Sequence, residues 1–144
     1  MILSQNLILS DNQAVTNDAE SDNIIDLGAA GIPYGAAGPL NRDVGKGTPV
    51  PILIQITETF NNLQFFEVSI ETSDSDSGGF NYVSRSSIPA AQAVAGYQYG
   101  LQVLPTNLKR YIRLFLNGSG GTIPSAGRVT AAITMGNQTN ITGA

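Results

Sequence analysis

The residues able to do chemistry in this sequence are almost all carboxylates: eleven Asp and Glu stand beside no His and no Cys in 144 residues. Without imidazole or thiol the chain lacks the commonest general base, the commonest transition-metal ligand, any thiol nucleophile and any disulfide. A pair of carboxylates is the hydrolytic apparatus that needs neither, as in glycosidases. Glu58, Glu67 and Glu71 lie near the strongest strand patterns. Glu67 and Glu71, four residues apart, would stand about 13 Å apart along one strand face, beyond the separation of either glycosidase geometry. Trp, a common sugar platform, is absent. These glutamates therefore read as solvated charges that keep a strand soluble. The run Asp74 to Gly79 (DSDSGG) resembles the start of a calcium loop. No Asp or Glu follows Asp76 to complete a ligand set, so the run reads as a polar hairpin turn. The expectation is a non-enzyme with no catalytic residue, no metal and no cofactor.

A chain of 15.1 kDa is one ordinary domain, 1–144, long enough to build a core without metal or disulfide. Apolar residues make up 42% and charged ones 12%, which fits neither a disordered acidic chain nor a highly charged surface. The net charge of −4 is unevenly spread. Residues 1–76 hold all eleven carboxylates with only Arg42 and Lys46, giving −9, and the rest holds Arg85, Lys109, Arg110, Arg113 and Arg128, giving +5. Five cations are too thin for a phosphate track, so no nucleic-acid partner is expected. The opposed halves are instead suited to attract each other. No run approaches the ~20 apolar residues of a membrane span. The opening MILSQNLILS has neither a basic flank nor a cleavage signal, which predicts that Met1 is retained. Sequons at Asn117, Asn137 and Asn140 read as polar turn and tail residues.

Short apolar runs rich in Val, Ile, Phe, Tyr and Thr, punctuated by Gly and Pro, predict strands and no helix. In Gln64 to Thr72, Phe66, Val68 and Ile70 fall on one face and Phe65, Glu67, Ser69 and Glu71 on the other. Val50 to Thr57 alternates Ile52, Ile54 and Ile56 with Leu53, Gln55 and Thr57. Further strands are predicted at Gln98 to Leu104, Lys109 to Leu116 and Arg128 to Met135, with weaker patterns at Asn23 to Leu27 and Asn81 to Ser84. Within Leu108 to Phe115, Leu108, Arg110, Ile112 and Leu114 share one face, and Lys109, Tyr111, Arg113 and Phe115 the other. Arginines in an apolar strand need partners. The acidic half can supply them, preferably within the chain, otherwise across a subunit contact. The expected fold is all-β, a jelly roll or antiparallel β-sandwich, with an extended amino-terminal arm and a long Gly/Pro-rich loop.

The arm is residues 1–10, whose Ile2, Leu3, Leu7, Ile8 and Leu9 are apolar without strict alternation. The loop is residues 28–51, twenty-four residues with six glycines and four prolines, longer than the roughly 12–15 residues at which a structureless loop becomes unusual. Ile32, Tyr34, Leu40 and Val44 suit it to lying on a partner.

The opening Met-Ile-Leu-Ser, then Ser10 to Thr16 (SDNQAVT), Asn23 to Gly28 (NIIDLG), Glu71 to Asp74 (ETSD), Ile88-Pro89, Ala95 to Tyr97 (AGY), Leu104-Pro105, Lys109 to Leu114 (KRYIRL) and Gly127 to Ala131 (GRVTA) resemble, in this order, the capsid cement proteins of short-tailed phages. The likeness spans nearly the whole chain and rests on the ordered set rather than on one motif. It implies a small jelly roll without catalytic function that binds in many copies to the outside of the icosahedral head and staples neighbouring major capsid protein subunits. Such a protein is made in the bacterial cytoplasm and resides on the virion surface. Ala29 to Pro49 interposes more Gly- and Pro-rich sequence than compact relatives carry, and no active-site residues carry over. The shell contacts expected are Ile2, Leu3, Leu7 and Ile8 of the arm and Ile32, Pro33, Tyr34, Leu40, Arg42 and Val44 of the loop. Self-association, most simply a dimer on a two-fold axis, is also expected. The alternative is a virion-surface module for host glycans, with Tyr34, Phe80, Tyr82, Tyr97 and Tyr99 as stacking faces.

Overall fold

The computed structural model describes residues 3–39, 50–101, 108–118 and 123–135. Among them nine strands form: β1 (Ile8–Ala14), β2 (Ala19–Glu20), β3 (Ile25–Asp26), β4 (Ile52–Glu58), β5 (Phe65–Ser73), β6 (Asn81–Pro89), β7 (Gln98–Leu101), β8 (Tyr111–Asn117) and β9 (Arg128–Ile133). The helical content among these residues is two single 3-10 turns, Gln5–Leu7 and Ala90–Gln92. The expected strands are present, with β6 twice its anticipated length. Residues 102–104 of the predicted Gln98 to Leu104 strand lie outside the described residues. The strand expected from Lys109 begins at Tyr111.

All pairings are antiparallel and fall into two sheets, ordered β1-β9-β4-β7 and β2-β8-β5-β6, with β3 continuing beside β8. The chain closes on itself in nested pairs: β5 with β6, β4 with β7, β2 and β3 with β8, β1 with β9. The molecule is an all-β sandwich.

Period-two alternation explains which side chains meet between the sheets. Ile52, Ile54 and Ile56 of β4 and Val129, Ala131 and Ile133 of β9 face Phe66, Val68 and Ile70 of β5 and Ile112, Leu114 and Leu116 of β8 in one continuous core. Strand β4 is buried on both sides, since Leu53, on the opposite face, is also buried, as is its ladder partner Ala132.

The amino-terminal arm is shorter than the sequence suggests. Ile8, Leu9 and Ser10 belong to β1, an edge strand paired with β9, and Leu9 and Ser10 are fully buried. Two register shifts in β1, together with a left-handed Asn12 (φ 49°), disrupt the alternation that would mark it as a strand. A chain beginning at Asp11 therefore loses part of the sandwich as well as any arm contact. Leu9→Ala is expected to lower unfolding free energy by about 2–5 kcal/mol, measured by urea denaturation. A change below about 0.5 kcal/mol, typical of surface sites, would show that β1 is dispensable.

Candidate functional site

One end of the sandwich gathers several chain segments. Ile8, Ile52, Leu101 and Ile133 are level in one sheet, and Asp26, Ser73 and Tyr111 are level in the other. Asn23 ties the sheets together there: its backbone N–H donates to the Leu9 carbonyl at 2.9 Å and its side-chain amide to the Ile8 carbonyl at 3.2 Å. Leu7 precedes this end, Gly28 leaves from it and Met135 follows it.

The Gly/Pro-rich segment starts at a defined post. Asp26 accepts the Gly28 N–H at 2.7 Å and a two-pronged contact from Arg110, Nε to Oδ1 and Nη2 to Oδ2, both at 2.8 Å. Those hydrogen bonds raise the affinity of the guanidinium for its proton above its ordinary value. The Leu27 N–H donates to the Arg110 carbonyl, and Gly28 turns away with φ 88°. Beyond it, residues 29–37 are all exposed. A turn at Pro33, closed by the Ala36 N–H to the Pro33 carbonyl at 3.0 Å, presents Ile32 at 68% exposure and Tyr34 at 109%. A Cβ added at Gly31, Gly35 or Gly38 would meet nothing within 4 Å.

Of the expected contact residues, Pro33 is exposed with Ile32 and Tyr34, Leu7 is 37% exposed, and Leu3 and Ile8 are partly buried. Ile2, Leu40, Arg42 and Val44 lie outside the described residues, as do residues 40–49 of the expected loop. Two members were missed: Ile24, 39% exposed, and Met135. The Asn23 to Leu27 alternation carried the signal for Ile24, because Ile25 is buried and its neighbour must then face out. Among the described residues, five of the eight large exposed hydrophobics are on segments that enter or leave this end: Leu7, Ile24 and Met135 next to it in the chain, and Ile32 and Tyr34 on the segment that departs from Gly28; the other three are Tyr82, Val94 and Ile123. An open depression of about 670 Å³ at this end is lined by Asp22, Asn23, Ile24, Asp26, Asp76, Ser77 and Tyr111.

The charge asymmetry of the sequence is consumed inside the fold. Arg85 pairs with Glu67 at 3.2 Å, Lys109 with Asp74 at 2.7 Å, Arg110 with Asp26, Arg113 with Glu20 at 2.6 Å and Glu71 at 2.7 Å, and Arg128 with Glu58 at 3.2 Å. Every cation of the second half thus meets a carboxylate of the first. Glu71 corrects its expected role as a solvated charge. It shares the outer sheet face with Glu67 as the alternation predicts, but it is 4% exposed. The Arg113 guanidinium that pairs with it lies 3.9 Å from the Phe80 ring centroid. Phe80 folds over the cation and helps exclude water from the pair.

Asp74 to Gly79 forms the turn between β5 and β6. Ser73 Oγ donates to the Gly78 carbonyl and accepts the Ser75 N–H at 3.1 Å, while Asp74 is committed to Lys109. Among the described residues no three acidic side chains converge as a metal site would require. The five aromatic residues considered for glycan stacking are not brought together. Tyr34 is on the loop segment. Tyr97 and Tyr99 pack partly against the core, with the Tyr97 hydroxyl on Gln92 at 2.8 Å and the Tyr99 hydroxyl on Ser86. Phe80 and Tyr82 share the flank of the second sheet, where Tyr82 meets Phe115. No described helix is long and apolar enough to cross a membrane.

Two antiparallel sheets packed around one core place the chain in the class of all-β sandwich proteins. Within it, the chain belongs to the Bbp16 family, whose model matches residues 9–133, from the second residue of β1 to the last of β9. No curated protein matches the chain.

Proposed function

We propose that this protein is a capsid decoration or cement protein: it binds the outer surface of the icosahedral head of a short-tailed phage and staples neighbouring major capsid protein subunits, stabilising the shell. The observation that carries the reading is the exposure of large apolar side chains on segments that reach or leave one end of the sandwich: Ile32 at 68% and Tyr34 at 109% on the segment after Gly28, with Leu7, Ile24 and Met135 also exposed. Large apolar side chains gathered at one end of a soluble domain mark an interaction site. The ordered sequence likeness to cement proteins supplies the partner. The nested strand pairing supports the finer description of the sandwich as a jelly roll. The internal neutralisation of all five carboxy-half cations supports a partner other than nucleic acid.

The energetics are those of multivalency. A subunit, or a two-fold dimer of subunits, that touches more than one capsomer gains its second contact at high effective concentration, so modest patches give firm attachment. Each bound copy adds its binding free energy to the closed shell. The test is a double variant, Ile32→Ser with Tyr34→Ser, mixed with empty heads. Its unfolding midpoint should stay close to the parent's, because Tyr34 is fully exposed and Ile32 largely so, and copies bound per head at fixed protein concentration should fall about tenfold or more. Undiminished occupancy overturns the proposed contact. Copy number separates the virion-surface glycan module from a cement protein: occupancy that follows the shell lattice supports cement, and a few copies at a vertex or tail support adhesion.

A further inference from the structure

The broad outer side of the β2-β8-β5-β6 sheet carries chemistry that shell contact leaves unused. Glu67 and Ser69 of β5, Phe115 and Asn117 of β8, and Tyr82 and Arg85 of β6 share this side. Tyr82 is 55% exposed and stands edge-on to Phe115, with centroids 6.2 Å apart. The Arg85 guanidinium lies over one face of the Tyr82 ring, 5.0 Å from its centroid, while its Nε meets Glu67 Oε1 at 3.2 Å, so its charge is matched within the sheet face. Ser69, fully buried, is paired in register with Phe115 on one side and Arg85 on the other, and its Oγ has no hydrogen-bond partner. Asn117 Oδ1, opposite Glu67 in the ladder, is also buried without a partner.

We propose that this face binds a neutral glycan of two or three sugar rings. The C–H face of a pyranose is weakly positive and packs against the negative face of an aromatic ring, the role given to the side of Tyr82 turned away from Arg85. Vicinal hydroxyls both donate and accept, and the planar guanidinium of Arg85 beside the carboxylate of Glu67 provides paired donors and acceptors at that scale. Charge matching selects the ligand class: with the cation already neutralised, a sulfated, sialylated or phosphorylated chain gains nothing here. The width fits too, since three strands span about 10 Å, room for two rings, with a third reaching past the edge. With Glu67 and Ser69 largely or wholly covered, the open part of the face is narrow beside the ~800 Å² per partner of a stable protein contact. This inference does not depend on attachment to a shell.

Calorimetry and saturation-transfer NMR on the purified full chain test it with lactose, maltotriose and triacetylchitotriose, and with sialyllactose as the anionic comparison. At least one neutral sugar should bind saturably with a dissociation constant of about 0.1–10 mM, the weak end of the affinity scale. Tyr82→Ala and Arg85→Ala should each weaken it about tenfold, and Val94→Ala, exposed away from this face, should leave it unchanged. Raising the salt should not reduce it. The unfolding midpoint of each variant reports whether the fold is intact. Absence of saturable binding by all three neutral sugars overturns the inference, as does binding insensitive to Tyr82→Ala in the folded variant, or a preference for sialyllactose that salt abolishes. Tyr82-dependent retention of a virion protein with no sugar bound overturns it as well.

Discussion

Gly127→Ala is expected to destabilise the fold by about 3–5 kcal/mol, combining backbone strain with overpacking. Gly127 has φ 141°, a conformation that L side chains rarely adopt, and a Cβ there would sit 2.1 Å from Phe60 Cδ1 and 2.4 Å from Cε1. The Phe60 ring has little room to retreat. It is stacked on Phe66 with centroids 4.7 Å apart, and Phe66 is itself fully buried in the core. Backbone movement is also opposed, because the Gly127 carbonyl accepts the Val15 N–H at 3.0 Å and the Phe60 N–H donates to the Ala93 carbonyl at 3.0 Å. Urea unfolding monitored by far-UV circular dichroism measures the loss. Gly31→Ala, where the added carbon meets nothing within 4 Å, is the matched comparison and should change stability by less than about 0.5 kcal/mol. Equal effects at the two glycines would refute the steric account.

Arg113→Met should cost about 3–5 kcal/mol, because it leaves a buried carboxylate without its counter-ion. The guanidinium reaches Glu71 on one strand and Glu20 on another, so its loss also loosens the two-residue strand β2 from β8. The diagnostic comparison is Glu71→Met alone and in combination. If burial of an unpaired charge dominates, the double variant should be more stable than Arg113→Met alone, and the cycle should show a coupling of about 1–3 kcal/mol. Additive losses, with no recovery in the double variant, would instead assign the effect to lost packing of the arginine stem against Phe80.

The elements most legible from sequence are those whose two faces differ. In β5, β8 and β9 apolar residues alternate with polar ones because one side meets the other sheet and the other side does not. Strand β6 was half-read, since Ile88 is the only buried apolar residue in its nine positions and Ser84, Arg85, Ser86 and Ser87 give no apolar rhythm. Its length is set by pairing with β5 along Phe65 to Thr72. Strand β1 escaped for a different reason: its shifts in register put Leu9 and Ser10 both under cover, which no strict alternation anticipates.

The same distinction governs the site. The exposure of Ile32, Pro33 and Tyr34 was legible because glycine-rich sequence around large apolar residues offers no local partner. The partnership of the arginines with the acidic half was legible from charge balance alone. Which carboxylate meets which arginine was not, because Arg113 joins Glu20, Glu71 and Phe80 only once β2, β5 and β8 are side by side. Burial of Glu71 is therefore a property of assembled strands, invisible in its own heptapeptide.

The nested pairing also constrains how the molecule is made. Ile8 finds Ala132 across the ladder, and β4 lies between β9 and β7. A ribosome that has delivered β1 and β4 has not yet delivered the strand that joins them. The first sheet can close only after Arg128 to Ile133 clear the exit tunnel; β5 with β6 and β4 with β7 can pair earlier, but β1 waits, and Leu9 and the isoleucines of β4 lack their β9 neighbour until then. Late closure of this kind makes folding slow and leaves nascent copies open to sticking together. In a cell producing many copies at once, yield then depends as much on chaperone supply and growth temperature as on the strength of the finished sandwich.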